Sequence, residues 1–285
     1  MENTQNSLVI ESKQLTRRSV SFDKRIHEID LIRGICMLLV FMDHLFWDLS
    51  HFFPVWAMKL NGTSWFLNNI SSASEFYLSS PYRTMVRIFV LCTFLFISGV
   101  STAFSKSNWK RAGQMLGFYF VIQIATNLLS PFWEGTFGSY CIINFNVIGV
   151  VAWSVLFYCF MQEKSWRYLA INIMLLALFF FIALPIIYQN VGGEDINVWP
   201  LWQSNHTEHY EADYMPLFPY IILFFLGALF ASFFYKNRVS LIKRKGAWEK
   251  PLCFIGRHSL IFYLTHQLLF IGLFSLIGLL TGWGL

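Results

Sequence analysis

The sequence predicts an all-α fold: a polytopic membrane helix bundle of about seven transmembrane helices, N-terminus inside and C-terminus outside. Three observations predict it. Of 285 residues, 56% are hydrophobic and only 13% are charged, about half the charged share of a soluble domain. Apolar stretches of bilayer-spanning length recur along the chain. Lys and Arg crowd into every second connection between them.

Taken in order, residues 1–27 are polar and charged, with no apolar core and no small-residue cleavage site. They read as a cytoplasmic tail rather than a signal peptide, and residues 28–285 as one membrane domain. The spans run at about 30–53, 82–105, 112–131, 141–161, 166–188, 216–235 and 256–280. The tail carries Lys13, Arg17, Arg18, Lys24 and Arg25. The next inner connections carry Lys106, Lys110 and Arg111, then Lys164 and Arg167, then Lys236, Arg238, Lys243, Arg244, Lys245 and Lys250. The outer connections hold almost none, with Lys59 the exception and Arg83 at a helix start. Topology therefore accounts for the net charge of +5, and no nucleic-acid partner is needed. Cys36, Cys92, Cys141, Cys159 and Cys253 stand singly, with no CxxC pair. The spacing shows neither a disulfide framework nor a zinc knuckle. Two outer loops are long: 54–81, aromatic and polar, and 189–215, acidic and polar. Their tryptophans, with Trp133, read either as an interfacial belt or as a stacking platform for sugar rings.

The first span carries the strongest functional signal. Arg33, Asp43, His44 and Asp48 lie in a stretch that must cross a bilayer, where charged groups are costly and usually serve a site. His44, Asp48 and His51 are spaced i, i+4, i+7, which places them on one helical face. An imidazole titrates near neutrality, so His44 is a candidate general base. Asp48 could orient its ring, whereas Asp43 points about 100° away. Arg33 lies roughly 16 Å down the axis from His44. A metal reading also exists for His44, Asp48 and His51, with His206 or His209 as a fourth ligand. The spacing arises easily in helices, and no metal is expected.

The last span opens with Gly256, Arg257 and His258. Ser259, Tyr263 and His266 then share a face, either toward a ligand or toward neighbouring helices. Arg257 is suited to snorkelling or to clamping phosphate. Arg83 and Arg87 lie one turn apart at the start of the second span, and Asp48 or Glu75 is the expected partner of Arg87. The fourth span carries Asn144 and Asn146. Asp213 precedes the sixth, where Pro216 and Pro219 would free backbone groups that are tolerated beside a cavity.

Three segments resemble the catalytic-domain family of heparan-alpha-glucosaminide N-acetyltransferase and its small bacterial relatives. They are RIHEIDLIRGI at 25–35 with MDH at 42–44, DYMPLFPY at 213–220, and IGRHSLIFYLTHQ at 255–267; FISGV at 96–100 also fits. The resemblance runs from about residue 25 to 268, and the spacing of Arg33 from His44 is also similar to that of wider membrane sugar acyltransferases. It implies transfer of an acyl group, acetyl above all, from cytoplasmic acyl-CoA to an amine or hydroxyl of an extracytoplasmic sugar or glycan. By the resemblance, Arg33 helps bind acetyl-CoA as cosubstrate and His44 sits at the reacting centre. The longer lysosomal members place Asn where this chain has His44, with their histidine in the following loop. His51 is the nearest counterpart, so the base is either His44 or His51.

The expected site is then His44, Asp48 and His51 for catalysis, and Arg33, Arg257, Lys110 and Arg111, with Lys106, for the cosubstrate. Asp43, Arg87, Asn146, Asp213, Ser259, Tyr263 and His266 are assigned to the acceptor. The expected partners are membrane lipid, acyl-CoA and a sugar or glycan acceptor, with a homodimer allowed. The expected location is the cell membrane, the cytoplasmic membrane in a bacterium. Acyl transfer through an acyl-enzyme and direct transfer both remain open. The rival readings are a transporter or flippase that uses the buried charges as a relay, and a non-catalytic membrane protein.

Overall fold

The computed structural model describes residues 26–54, 65–137, 142–162, 165–190, 197–198, 202–203, 214–235, 240–242 and 246–281. The architecture is all-α, apart from a two-residue antiparallel pairing of Asn197 with Gln203 and Val198 with Trp202. Helix α1 is His27–Trp47, with Glu28 and Asp30 in its first turn, where carboxylates favour the positive end of the helix dipole. It continues into a π turn, Asp48–Phe52. Helix α2 is Trp65–Leu78. Helix α3 is Pro81–Thr102, with proline in its first turn, where its missing N–H costs nothing. Helix α4 is Asn108–Phe137, and α5 is Val147–Met161. Helix α6, Trp166–Leu178, runs through a second π turn, Phe179–Ala183, into α7, Leu184–Asn190. Helix α8 is Tyr220–Phe234, α9 is Glu249–Arg257 and α10 is Ser259–Thr281.

Each of the seven expected spans contains helix. By length and composition, four of them suffice to cross a membrane: Pro81–Thr102, Asn108–Pro131, Trp166–Ile187 and Ser259–Gly278. Helices α5 and α8 are apolar but shorter, and α1 has the length but carries Asp30, Arg33 and Asp43.

Two expectations are corrected. The segment 54–81, read as loop, contains the 14-residue helix α2. Its serines disguised it: Ser72 and Ser74 turn their hydroxyls back onto the carbonyls of Asn68 and Ile70, a helix-compatible use of a residue that usually signals a turn. Ile70 packs against the Leu49, Phe52 and Phe53 cluster. The last span is also not one helix. It breaks at His258, whose φ of −106° and ψ of 22° end α9, and α10 starts afresh at Ser259.

The core centres on α5, where Val150, Ala152 and Val155 have no exposed surface, packed with Leu95 of α3 and Phe224 of α8. Glycine sets two close helix crossings. A Cβ on Gly99 would lie 1.9 Å from the Phe224 carbonyl oxygen, and one on Gly227 would lie 2.0 Å from that of Phe96. On the other side, a Cβ on Gly34 would lie 2.0 Å from the Leu252 oxygen, and one on Gly256 would lie 1.8 Å from the Asp30 oxygen. Small residues let helix backbones meet in this way inside a membrane bundle. The second crossing lays α9 directly on the first half of α1, and so brings Arg257 to Asp30.

Candidate functional site

Helix α1 carries a polar constellation near each end. At its N-terminal end, the α1–α9 crossing sets Asp30 between two guanidinium groups. Arg33 Nη1 lies 3.8 Å from Asp30 Oδ1, and Arg257 Nε lies 3.7 Å from Oδ2. Arg33 also donates to Ser101 Oγ on α3 and, at 3.4 Å, to the Gly256 carbonyl. Arg111, on α4, donates to Thr102 Oγ1 at 3.1 Å and lies within electrostatic reach of Arg33. Two guanidiniums, from α1 and α9, thus flank one carboxylate, and a third, from α4, stands near Arg33. Lys106 and Lys110 are exposed. A second cluster holds the incoming connection onto α1. Glu28 accepts from the Leu241 N–H at 2.7 Å, from the Tyr235 hydroxyl at 3.2 Å and from Ser240 Oγ. Burial alone would raise the Glu28 carboxyl, but these hydrogen bonds together hold it below its ordinary value.

Toward the other end of α1, an open-sided pocket lies between α1, α2, α3, α5 and α10. Its polar lining is Asp43, His44, Tyr77, Arg83, Arg87 and Tyr263, and Val90, Leu91, Phe94 and Val147 are among its apolar lining. Arg83 meets Asp43 in a two-pronged ion pair, Nε to Oδ1 and Nη2 to Oδ2, both at 2.6 Å. Arg87 pairs with neither expected partner: Asp48 faces α10, and Glu75 is exposed.

His44 is half-buried. Its ring meets the His266 ring edge-on, with centroids 4.9 Å apart. His266 is stacked on Phe41 at 5.2 Å, and its Nδ1 lies 2.6 Å from the Tyr263 carbonyl oxygen. Aromatic and backbone contacts therefore fix the neighbour of His44. Asp48 has no exposed surface, and Gln267 Nε2 donates to both its carboxylate oxygens, at 2.8 and 3.0 Å. It is not hydrogen-bonded to His44, although the two stay within electrostatic reach.

The expected common face of His44, Asp48 and His51 is broken. The π turn at Asp48–Phe52 takes more residues per turn than an α-helix, so His51 lags behind the face of His44. It is exposed and stacks on Trp47, with centroids 5.2 Å apart and planes 9° apart. The three side chains accordingly do not converge as metal ligands, and His206 and His209 lie outside the described residues.

Of the other expected residues, Tyr263, Asp43 and Arg87 line the pocket with His44, and His266 adjoins it. Asn146 is fully buried and serves as the cap of α5, accepting from the Gly149 N–H at 3.2 Å. Ser259 opens α10 and is not in the pocket wall. Asp213 lies outside the described residues. The structure adds Gln267, Ser101, Tyr77 and the Asp43 pairing of Arg83. Gln267 stands directly after His266 in a span, and a polar residue there was the available signal. Ser101 and Tyr77 gave none, because only tertiary packing brings them in.

The family described as "Heparan-alpha-glucosaminide N-acetyltransferase, catalytic" matches residues 25–82 and 55–268. The chain belongs to that family, and membership implies acyltransferase activity in general. No curated protein and no solved structure matches the chain.

Proposed function

We propose that this family member is a membrane acyltransferase that moves an acetyl group from cytoplasmic acetyl-CoA to an amine or hydroxyl of a sugar outside. The observation that carries the reading is the layout of α1. One helix presents Arg33, beside Arg257 and Arg111, at one end and His44 in a pocket wall about 16 Å further on. Guanidinium groups suit phosphate oxygens, so the positive end fits the phosphates of CoA, with Asp30 keeping Arg33 and Arg257 aligned when the site is empty. The distance to His44 is of the order of a pantetheine arm. The Lys and Arg pattern supports assigning the Arg33 end to the cytoplasm and the pocket to the outer half of the bundle.

In this reading His44 accepts the proton of the attacking amine or hydroxyl as its lone pair forms the new bond to the acyl carbon. The carbon–sulfur bond breaks, and the thiolate recovers a proton on the cytoplasmic side. Alternatively, His44 carries the acyl group between two such displacements. His266, itself stacked on Phe41, packs edge-on against the imidazole of His44.

The test uses the full chain in lipid nanodiscs with acetyl-labelled acetyl-CoA and a glucosaminide acceptor. Expected are saturable CoA binding and label transfer that depends on His44. Absence of CoA binding, with substrate uptake by the same protein in liposomes, would favour the transporter. A cysteine placed at Asn205 should be labelled from outside intact cells. Labelling only after permeabilisation would reverse the orientation.

A further inference from the structure

The pocket is open sideways, toward the lipid-facing surface of the bundle. Leu39 and Val86 both line it and are 40% and 46% exposed. Phe89, on the same stretch of α3, is 71% exposed. In a helix that crosses a membrane, such apolar surface faces acyl chains. Arg87, the neighbour of Val86, also lines the pocket and is exposed. Arg83, one turn earlier, is neutralised by Asp43, whereas among the described residues Arg87 has no carboxylate within ion-pair reach. It stands six residues into α3, roughly 9 Å along the axis of a helix long enough to cross a bilayer. A cation so placed is costly until an anion meets it, and its planar fork suits phosphate.

We propose that the acceptor reaches the pocket from the bilayer, as a sugar carried on a lipid phosphate. The phosphate sits on Arg87, the lipid chain lies over Leu39 and Val86, and the sugar enters the pocket, bringing its amine or hydroxyl to His44. The role of His44 rests on the acyltransferase reading, whereas the binding does not and can be read without turnover.

The experiment measures binding of polyprenyl-phosphoryl glucosamine to the full chain in phosphatidylcholine nanodiscs, with no acyl-CoA present. The variants are Arg87→Ala, Arg87→Lys and, at the mouth, Val86→Trp. Soluble glucosamine 1-phosphate and added phosphatidylglycerol serve as competitors. Expected is saturable binding that falls at least about tenfold in Arg87→Ala, the equivalent of one charged hydrogen-bonded contact, and partly returns in Arg87→Lys. Val86→Trp should weaken the lipid-linked probe and leave CoA affinity intact, which shows the variant to be folded. Equal binding in Arg87→Ala overturns the proposal. So does displacement by phosphatidylglycerol at equal concentration, which would make Arg87 an ordinary headgroup contact. The soluble phosphosugar binding as tightly as the lipid-linked one removes the lateral route. Loss of CoA affinity in Arg87→Ala would assign this arginine to the donor instead. If the probe binds as expected but no acetyl transfer is ever seen, the inference stands and the acyltransferase reading falls.

Discussion

Gln267 holds both carboxylate oxygens of Asp48 with a single amide nitrogen, at 2.8 and 3.0 Å, across 219 residues of sequence. The contact joins the π turn after α1 to the middle of α10, and so couples the helix bearing His44 to the helix bearing His266. Because Asp48 is fully buried, the amide is also what satisfies the carboxylate.

Replacing Gln267 by Leu keeps the volume and strands that carboxylate. The expected loss is about 1–3 kcal/mol, the cost of an unsatisfied buried polar group, read as a lower unfolding midpoint in detergent. Asp48→Asn in the wild-type background should lose less, since an amide pair can still hydrogen-bond. Equal stability of Gln267→Leu and wild type would mean that water or another group already satisfies Asp48.

That contact also marks what the sequence could and could not disclose. The buried charges of α1 were visible as charges in an apolar stretch, and the glycines as small residues. The partners were not visible, because Gln267, Ser101 and Arg83 reach α1 only through the packing of other helices. The π turn was invisible for a different reason. Asp48 to His51 keeps helical spacing on paper, and a change of winding moves His51 off the face without altering a single residue. Helix α2 was hidden by serines that bond to their own helix. The alternation of Lys and Arg pointed to topology rather than chemistry, and Arg111 alone among the inner-loop cations Lys106, Lys110 and Arg111 turns inward toward Arg33.

The Gly34–Gly256 crossing should be intolerant of any side chain. A Cβ at either position would fall 2.0 Å or less from a backbone oxygen of the opposing helix, so α9 must move away from α1. Overpacking of this kind costs about 1–3 kcal/mol or more, and here it would also pull Arg257 from Asp30. Gly34→Ala and Gly256→Ala are expected to lower both thermal stability and CoA affinity. Gly113, in α4, is the control, since a Cβ added there would meet nothing within 4 Å. There Gly→Ala should stabilise by about 0.5–1 kcal/mol through helix propensity alone. Indifference to Gly34→Ala would show that the helices do not approach so closely.

The Asp43–Arg83 pair should behave as a unit. The two side chains are 19% and 15% exposed, so removing one leaves the other largely buried and charged. Asp43→Ala and Arg83→Ala are each expected to cost about 3 kcal/mol, the lower end for breaking a buried pair. The double variant should lose less than the sum. Additive losses in the cycle would deny the coupling.

Arg33 is tied to α3 and α9 as well as to Asp30, which makes it the organiser of the positive end. Arg33→Ala should weaken CoA binding by about 10–100-fold, the range for a charged hydrogen bond, in calorimetric titration. Lys110→Ala, at an exposed position, should change affinity by less than about threefold, as expected for a screened surface charge. The reverse order would move the donor site out of the bundle and onto the loop.

His44 and His51 are separated by geometry rather than by distance along the chain. His44 lines the pocket with its ring against His266, whereas His51 is exposed and stacked on Trp47. General-base catalysis contributes about 10²–10⁴-fold, so His44→Ala should reduce acetyl transfer by that order while CoA binding persists. His51→Ala should reduce it by less than about threefold, a stacking contact at the surface being a small term. His266→Phe keeps the ring against Phe41 and should leave CoA affinity unchanged. Any loss of transfer it causes then reports on how far the imidazole of His266 assists His44. If His51→Ala abolishes transfer and His44→Ala spares it, the acyl group is delivered beyond the π turn and the pocket serves another purpose. If neither matters, the charges of α1 are there to move a solute rather than to make a bond.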